Sequence, residues 1–189
     1  MRLLLHTCCA PCATAVIEAL GEERLRPELF WYNPNIHPYT EYQARRDSVS
    51  AFARNEVLEL IQEDEYGLRR FIRDEFYTNN NGERCYFCYQ IRLQRCAGLA
   101  AEKGFEAFST SLLTSPYQKH ELIRQIGEQC AAQYNVEFLY RDFRPWFREG
   151  RKKAKTQGSY MQKYCGCIFS EEERYLQKNN VLRQPLPSL

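Results

Sequence analysis

The chain has 189 residues, and its 26 basic and 24 acidic residues leave a formal net charge of +2. This near balance neither favours nor excludes a nucleic-acid partner, while the length favours one compact domain, residues 1–180, with a loose tail at 181–189. No apolar run approaches the roughly 18 residues of a membrane span, and the N-terminal run of three leucines lacks the features of a secretory signal. We therefore expect a cytoplasmic protein that does not contact a membrane.

Short apolar runs alternate with amphipathic segments along the chain. The apolar runs predict strands at 3–5, 29–32, 57–61, 105–109 and 136–140. Helices are predicted at 13–20, 40–54, 64–76, 85–103, 117–134 and 171–178, with a polar turn at 79–82. Strands that alternate with helices indicate an α/β fold, here a doubly wound, Rossmann-like, mostly parallel sheet.

The loops after the strands of such a sheet meet at one edge, which is where open α/β proteins bind ligands. These loops carry the polar and sulfur groups of the chain, at 8–12, 33–37, 110–115 and 142–144. Two helical insertions that carry further cysteines, around 85–88 and 165–167, would fold over the same edge. We therefore expect the chemistry of this chain to converge on that face.

Cysteine usage is the strongest chemical signal in the sequence. Seven of the nine cysteines form three clusters: Cys8, Cys9 and Cys12; Cys85 and Cys88; and Cys165 and Cys167. In a reducing compartment, clustered thiols indicate metal ligands or catalytic groups rather than disulfides. The two isolated cysteines, Cys96 and Cys130, lie inside helical patterns and are interpreted as small core residues.

The spacing leaves more than one metal site open. The pair of Cys-x-x-Cys units at 9–12 and 85–88 fits a structural zinc site and an iron–sulfur cluster equally well. Either kind of metal site uses four thiolates, so three of the seven clustered thiols remain. Because successive side chains of an extended backbone diverge, the adjacent Cys8 and Cys9 are expected to face different centres.

Several other polar residues admit both a structural and a functional interpretation. His6 lies on a buried strand and fits a hydrogen-bonded core histidine, whereas His37 and His120 lie in or beside the loops of the predicted site. The basic run at 148–155 fits a solvated face, but the neighbouring Phe147 and a tryptophan also suit it to a single-stranded nucleic-acid loop.

Six motifs occur in order along the chain. They are His-Thr-Cys-Cys-Ala-Pro-Cys at 6–12, Tyr-Asn-Pro-Asn-Ile-His-Pro at 32–38, Glu-Arg-Cys-x-x-Cys-Tyr at 83–89, Leu-Leu-x-Ser-Pro-Tyr-Gln-x-His at 112–120, Asp-Phe-Arg at 142–144 and Tyr-Cys-Gly-Cys-x-Phe-Ser at 164–170. Together they resemble the QueH family of cobalamin-independent epoxyqueuosine reductases. The resemblance extends from residue 3 to about residue 170.

The resemblance implies a reaction, cofactors and partners. The substrate is epoxyqueuosine at the wobble position of a tRNA with a GUN anticodon, and loss of the epoxide oxygen yields queuosine. The resemblance also implies a [4Fe-4S] cluster beside a separately bound iron, and an external low-potential electron donor. Since the deoxygenation needs two electrons and two protons, we expect the lone iron to polarise the epoxide as a Lewis acid.

The resemblance also suggests roles for individual residues. By motif, the expected cluster ligands are Cys9, Cys12, Cys85 and Cys88, and the expected ligands of the second iron are Cys8, Cys165 and Cys167, with the choice between Cys8 and Cys9 left open. The candidates for proton donation or substrate positioning are Tyr117, His120, Asp142 and Arg144. The candidate substrate-binding residues are Asn33, Asn35, His37, Ser115, Arg151, Lys152 and Lys153.

Two other functions are weighed against this one. ATP-dependent tRNA sulfur-transfer enzymes carry a Ser-Gly-Gly-x-Asp-Ser phosphate loop after the first strand, and the corresponding segment here, 7–12, has no glycine. A zinc-stabilised RNA-binding module accounts for one four-cysteine site but leaves three clustered thiols without a role.

Overall fold

The structure is a computed structural model that describes residues 1–78 and 84–176. The predicted turn at 79–82, the end of the predicted last helix and the predicted tail at 181–189 lie outside the described residues. Within these two segments there are five strands and seven α-helices. The strands are β1 (Leu3–His6), β2 (Glu28–Trp31), β3 (Leu60–Gln62), β4 (Ala107–Thr110) and β5 (Glu137–Phe138). The helices are α1 (Ala10–Gly21), α2 (Tyr39–Asn55), α3 (Leu68–Thr78), α4 (Arg84–Glu102), α5 (His120–Tyr134), α6 (Phe147–Thr156) and α7 (Ile168–Leu176).

The strands form one parallel sheet in the order β3-β2-β1-β4-β5. The predicted doubly wound, Rossmann-like sheet is therefore confirmed. The chain winds from β1 outward to β3 and then returns to β4 on the other side of β1. This reversal opens a crevice at the carboxyl ends of β1 and β4, the position at which such folds bind ligands.

Helices cover the sheet on both faces, because α1 packs against α2 and α6 while α4 packs against α3 and α5. The residues Leu3, Leu4 and Leu5 are at most 1% exposed, as expected for a central parallel strand without a solvent-facing side. Cys96 and Cys130 lie in the same hydrophobic core, which agrees with their interpretation as packing residues.

Several element boundaries differ from the sequence-based expectation. Helix α1 begins three residues early, at Ala10, because Pro11 can occupy the first turn of a helix, where its missing N–H is not needed. Strand β3 lies at Leu60–Gln62 rather than 57–61, since Val57 adopts a left-handed φ of 53° and is 80% exposed. The basic run, which was given no element, forms most of α6.

None of the helices in the two described segments has the length and apolar character needed to cross a bilayer.

Candidate functional site

Three thiols meet where β1 turns into α1. The sulfur atoms of Cys8, Cys9 and Cys12 all lie within 4.8 Å of one another, and those of Cys8 and Cys9 are 3.9 Å apart. The expectation that Cys8 and Cys9 diverge is wrong. Cys9 caps α1 in an extended conformation, and the chain turns into the helix directly after it, so the alternation of a continuous strand does not apply here.

Within this thiol triad, a negative charge is favoured on the Cys8 sulfur. Hydrogen bonds from the thiols of Cys12 and Cys9 hold the pKa of Cys8 well below its usual range, whereas burial raises the pKa of Cys9. The Ser111 hydroxyl, from the loop after β4, donates to Cys8 Sγ at 3.5 Å and accepts from the Cys8 amide at 3.1 Å. The N-terminal end of α1 also favours a negative sulfur. The triad can therefore present a thiolate to a metal ion.

A second group of thiols comes from α4 and from the segment before α7. Cys88 and Cys167 are buried together against Phe71. Burial raises the pKa of Cys88, and the nearby thiols of Cys165, Cys167 and Cys85 raise it further. The two cysteine-bearing segments therefore meet in space, as the sequence predicted.

Two buried arginines lie beside the thiol groups. On α4, the Arg92 Nη2 donates to Cys88 Sγ at 3.1 Å, and its Nε donates to the Cys88 carbonyl at 2.8 Å. On α2, Arg45 pairs with Glu41 at 2.7 Å and donates to the carbonyls of Tyr164 and Cys165, each at 2.9 Å. Arg45 therefore fixes the backbone of the segment that carries the C-terminal thiols.

Gln162 connects the C-terminal segment to the thiol triad. Its Nε2 donates to Cys9 Sγ at 2.9 Å and lies 3.8 Å from Cys12 Sγ. Its Oε1 is buried and has no hydrogen-bond partner among the described residues. A buried acceptor without a donor is uncommon, so this atom marks a position where a bound group or an ordered water would complete the site.

A cavity of about 410 Å³ opens above the triad. Its walls join the N-terminal turn, the loop before α5, the start of α6 and the C-terminal segment. They comprise Cys8, Cys12, Arg45, Leu112, Ser115, Tyr117, Gln118, Phe147, Arg151, Gln162, Lys163, Tyr164, Cys165 and Arg174. Of the residues predicted to serve the site, Ser115, Tyr117 and Arg151 therefore lie on this wall together with three of the clustered cysteines.

The predicted substrate-binding residues of the loop after β2 are buried and are not among the residues that line the cavity. Asn33 is fully buried, donates to the Thr7 carbonyl at 3.0 Å and lies 3.2 Å from His6 Nε2. His37 is fully buried as well, and Asn35 is 1% exposed with an unpartnered Oδ1. His6 contacts Thr110 Oγ1 at 2.9 Å, which fits the core interpretation of this histidine.

Three of the four candidate proton donors are absent from the described cavity wall. Asp142 and Arg144 pair with each other through bonds of 2.8 Å and 2.6 Å, and these hydrogen bonds lower the pKa of Asp142 to about 2. Asp142 is thus ionised at neutral pH and has no proton to give. His120 is 8% exposed, and its Nε2 lies 3.2 Å from the Ser115 carbonyl.

The other two basic residues predicted to bind substrate lie away from the cavity wall. Lys153 pairs with Glu18 of α1 at 3.2 Å, and Lys152 is exposed on α6. Arg151 of the basic run therefore lines the cavity, whereas Lys152 and Lys153 do not.

Several site residues were not identified from the sequence. Arg92 had a usable signal, since it follows Cys88 by four positions and so lies on the same face of α4. Gln118 lies inside one of the six motifs and donates to Cys165 Sγ at 3.3 Å. Arg45 and Gln162 had no local signal, because both act on residues more than a hundred positions away.

Comparison with known proteins agrees with this geometry. The sequence model of one family, described as epoxyqueuosine reductase QueH, matches residues 3–173. The chain is similar to the epoxyqueuosine reductase QueH of Dehalococcoides mccartyi, with 36% identity over 179 residues, 95% of this chain and 97% of the relative. It is also similar to that of Thermotoga maritima, with 36% identity over 91% of each chain, and to that of Acinetobacter baylyi, with 36% identity over 89% of this chain and 80% of the relative. A thiol triad at the switch point of a parallel sheet, six ordered motifs and these similarities over nearly the full length together show that the chain belongs to the epoxyqueuosine reductase QueH family, a family of oxidoreductases.

Proposed function

We propose that this chain reduces epoxyqueuosine in the anticodon loop of a tRNA with a GUN anticodon to queuosine. The observation that carries the proposal is the buried triad of Cys8, Cys9 and Cys12 at the floor of a cavity large enough for a nucleoside. The names of the related proteins support the same reaction. A cytoplasmic setting, with an external low-potential electron donor, agrees with nine cysteines that are all free thiols.

The donor set fits a [4Fe-4S] cluster and an adjacent iron. Seven thiols are more than one tetrahedral metal or one cluster requires, and the buried cations Arg45 and Arg92 can offset the negative charge of several thiolates. The unpartnered Oε1 of Gln162 lies in the same region. When bound, the cluster would pass the two electrons one at a time from the external donor, and the iron would supply the Lewis acidity that loss of an epoxide oxygen requires.

Two assignments of the thiols are proposed for test. By motif, the cluster takes Cys9, Cys12, Cys85 and Cys88, and the iron takes Cys8, Cys165 and Cys167. The short distances within the triad support the other assignment, in which Cys8, Cys9 and Cys12 serve one centre and the remaining four serve the second. Cys165→Ala distinguishes them. In the first assignment it removes a ligand of the iron and spares the cluster, whereas in the second it removes one of the four thiols that hold the second centre.

The residues of the chain then have separable tasks. The cavity wall encloses the modified nucleoside, and Gln162 and Gln118 orient sulfur atoms through hydrogen bonds of 2.9 Å and 3.3 Å. Arg45 fixes the segment of the C-terminal thiols against α2. Arg151 lies where it can neutralise a phosphate, and Lys152 and Lys153 remain proposed outer contacts to the tRNA.

The test is the reaction under anaerobic conditions. Protein with its metals, incubated with tRNA that carries epoxyqueuosine and a low-potential reductant, is expected to yield queuosine without cobalamin and without ATP. Mass spectrometry of the digested tRNA should show the loss of one oxygen atom from the modified nucleoside. The same preparation should contain iron and acid-labile sulfide.

Two results contradict the proposal. Protein that contains zinc and no acid-labile sulfide would favour the zinc-stabilised RNA-binding module. A requirement for ATP, with sulfur gained by the tRNA, would favour the sulfur-transfer enzyme. Cys96→Ala is the matched control, because this thiol is fully buried in the core and belongs to neither thiol group.

A further inference from the structure

The wall of the cavity has an unusual charge. Among the described residues that line it, none is acidic, although the chain contains 24 acidic residues. Four are cationic, namely Arg45, Arg151, Lys163 and Arg174. Arg45 pairs with the buried Glu41, whereas the other three form no ion pair with any residue that the structure describes. Three of the four cations on the wall therefore lack a carboxylate partner among the described residues, and the cavity suits a ligand with several anionic groups.

The most exposed aromatic side chain of the described protein is also on this wall. Tyr117 is 85% exposed, compared with 48% for Tyr39 and 38% for Tyr175. The Ser115 hydroxyl accepts from the Tyr117 amide at 3.3 Å, so the backbone is held while the ring lies in solvent. The Tyr117 hydroxyl has no hydrogen-bond partner in the described part of the chain. An exposed aromatic ring at the wall of a cavity is a common feature of binding surfaces.

A second aromatic ring lies beside it on α6. The ring centroids of Tyr117 and Phe147 are 6.3 Å apart, and the ring planes meet at 80°. An edge-to-face contact of this kind occupies at most one face of each ring. The Arg151 guanidinium lies 5.5 Å from the centroid of Phe147. The arrangement thus leaves one face of the Tyr117 ring free. It also places the Arg151 guanidinium within reach of a group that stacks on that face.

We propose that the Tyr117 ring is a stacking platform for one unpaired nucleobase next to the nucleotide that enters the cavity. Phe147 supports this ring through its edge-to-face contact, and Arg151, Lys163 and Arg174 bind the flanking phosphates. The proposal rests on the proposed function and adds how the RNA is recognised. It gives Tyr117 a role in holding the substrate, one of the two roles that the sequence left open.

The combination of rings and cations selects unpaired RNA over other anionic partners. Bases within a duplex are stacked on their neighbours and cannot offer a face to a protein ring, whereas loop bases can be splayed out onto aromatic side chains. An acidic peptide would engage the cations but would leave the ring face of Tyr117 without a partner. Stacking is tolerant of base identity, so the platform adds affinity and orientation rather than sequence readout.

Binding of an anticodon stem-loop RNA without the epoxide tests the platform separately from the reduction. Fluorescence anisotropy under anaerobic conditions, with the metal-loaded protein, is expected to show binding about 5- to 150-fold weaker for Tyr117→Ala, the range for loss of one base–aromatic stack. Tyr117→Phe should restore the binding, because it keeps the ring and removes only the hydroxyl. Phe147→Leu, which keeps an apolar side chain but removes the flat ring, should also weaken binding.

Controls separate the platform from simple charge attraction. Tyr39→Ala removes an exposed ring that does not line the cavity and should bind as the wild type does. A duplex RNA of equal length should compete poorly. The proposal is overturned if Tyr117→Ala binds the stem-loop normally, if the duplex competes equally, or if Tyr117→Phe binds as weakly as Tyr117→Ala. If these binding results hold and the wild type still fails to reduce epoxyqueuosine, the proposed function fails and the platform stands.

Discussion

At the scale of single residues, Arg92 has the least ordinary environment. It is 2% exposed and forms no ion pair with a carboxylate in the described part of the chain, and its guanidinium donates instead to the sulfur and the carbonyl of Cys88. A buried cation is costly unless it has a charged or hydrogen-bonding partner. Hydrogen bonds to ligand sulfur atoms are among the means by which proteins set the reduction potential of an iron–sulfur cluster.

We expect Arg92→Gln to lower the midpoint potential of the proposed iron–sulfur cluster relative to the wild type. The reason is that the variant removes both a positive charge and the 3.1 Å hydrogen bond to Cys88 Sγ, each of which stabilises the reduced, more negative state. A potentiometric titration followed by absorbance measures the change. Arg92→Lys, which keeps the charge without the forked geometry, is expected to lie between the two.

Arg95 provides the matched control on the same helix. It pairs with Glu63 at 2.5 Å and with Glu102 at 2.9 Å, away from the thiols. Arg95→Gln should leave the midpoint potential unchanged. Equal potentials for the wild type and both Arg92 variants would show that this arginine acts in packing alone.

At the scale of elements, the position of α6 depends on a glycine. A Cβ atom on Gly150 would lie 2.5 Å from the Cβ and 2.6 Å from the Cα of Ala15 on α1. The second distance involves backbone, which cannot move aside as a flexible side chain does. The two helices therefore approach closely because this position lacks a side chain, and their contact places Phe147 and Arg151 at the cavity.

We expect Gly150→Ala to destabilise the protein by about 1–3 kcal/mol, the usual cost of overpacking a tight contact. It should also weaken RNA binding, since α6 would be displaced from α1. Urea unfolding measures the first effect and anisotropy the second.

Gly21→Ala is the control for this substitution. Gly21 ends α1 and has no neighbouring atom within 4 Å of an added Cβ, so alanine should be neutral or slightly stabilising there. If Gly150→Ala unfolds at the same urea concentration as Gly21→Ala, the close contact of Gly150 with Ala15 does not set the position of α6.

At the scale of the whole molecule, burial favours the neutral form of two histidines, His37 and His6. The His37 Nε2 lies 3.1 Å from the Pro34 carbonyl, to which it must donate, and its Nδ1 accepts from the Ile168 amide at 3.3 Å. A proton on Nδ1 would break the second bond. Burial lowers the pKa of His37 and of His6 to about 4. His37 links the loop after β2 to the start of α7, and His6 links β1 to β4.

Stability is therefore expected to fall as the pH drops from about 6.5 to about 4. Because the folded pKa lies below the unfolded pKa, the unfolded chain binds protons first, and the stability present above pH 6.5 is lost progressively. The largest loss is roughly 3 kcal/mol for each histidine. Urea unfolding across this pH range, compared between the wild type and His37→Gln, measures it.

Glutamine can donate and accept in place of the His37 ring but does not titrate. The pH dependence of His37→Gln should thus be shallower than that of the wild type. Parallel curves for the two proteins would show that His37 does not contribute to the acid sensitivity.

The sequence by itself determined the α/β class, the edge of the sheet that carries the chemistry and the clustering of seven thiols. These features follow from local rules. Three consecutive leucines fit a strand covered on both faces, and loops after parallel strands share an edge whatever the details of packing. The interpretation of Cys96 and Cys130 as core residues also needed no more than helical periodicity.

The tertiary structure decided which side chains meet. The convergence of Cys8 and Cys9 depends on the backbone turning at the helix cap, and the reach of Arg45 to Cys165 joins residues 120 positions apart. The burial of Asn33 and His37, neither of which lines the cavity, depends in the same way on how the loop after β2 packs. A spacing rule describes neighbours along one element, whereas these contacts depend on the relative placement of separate elements, which follows from packing of the whole core.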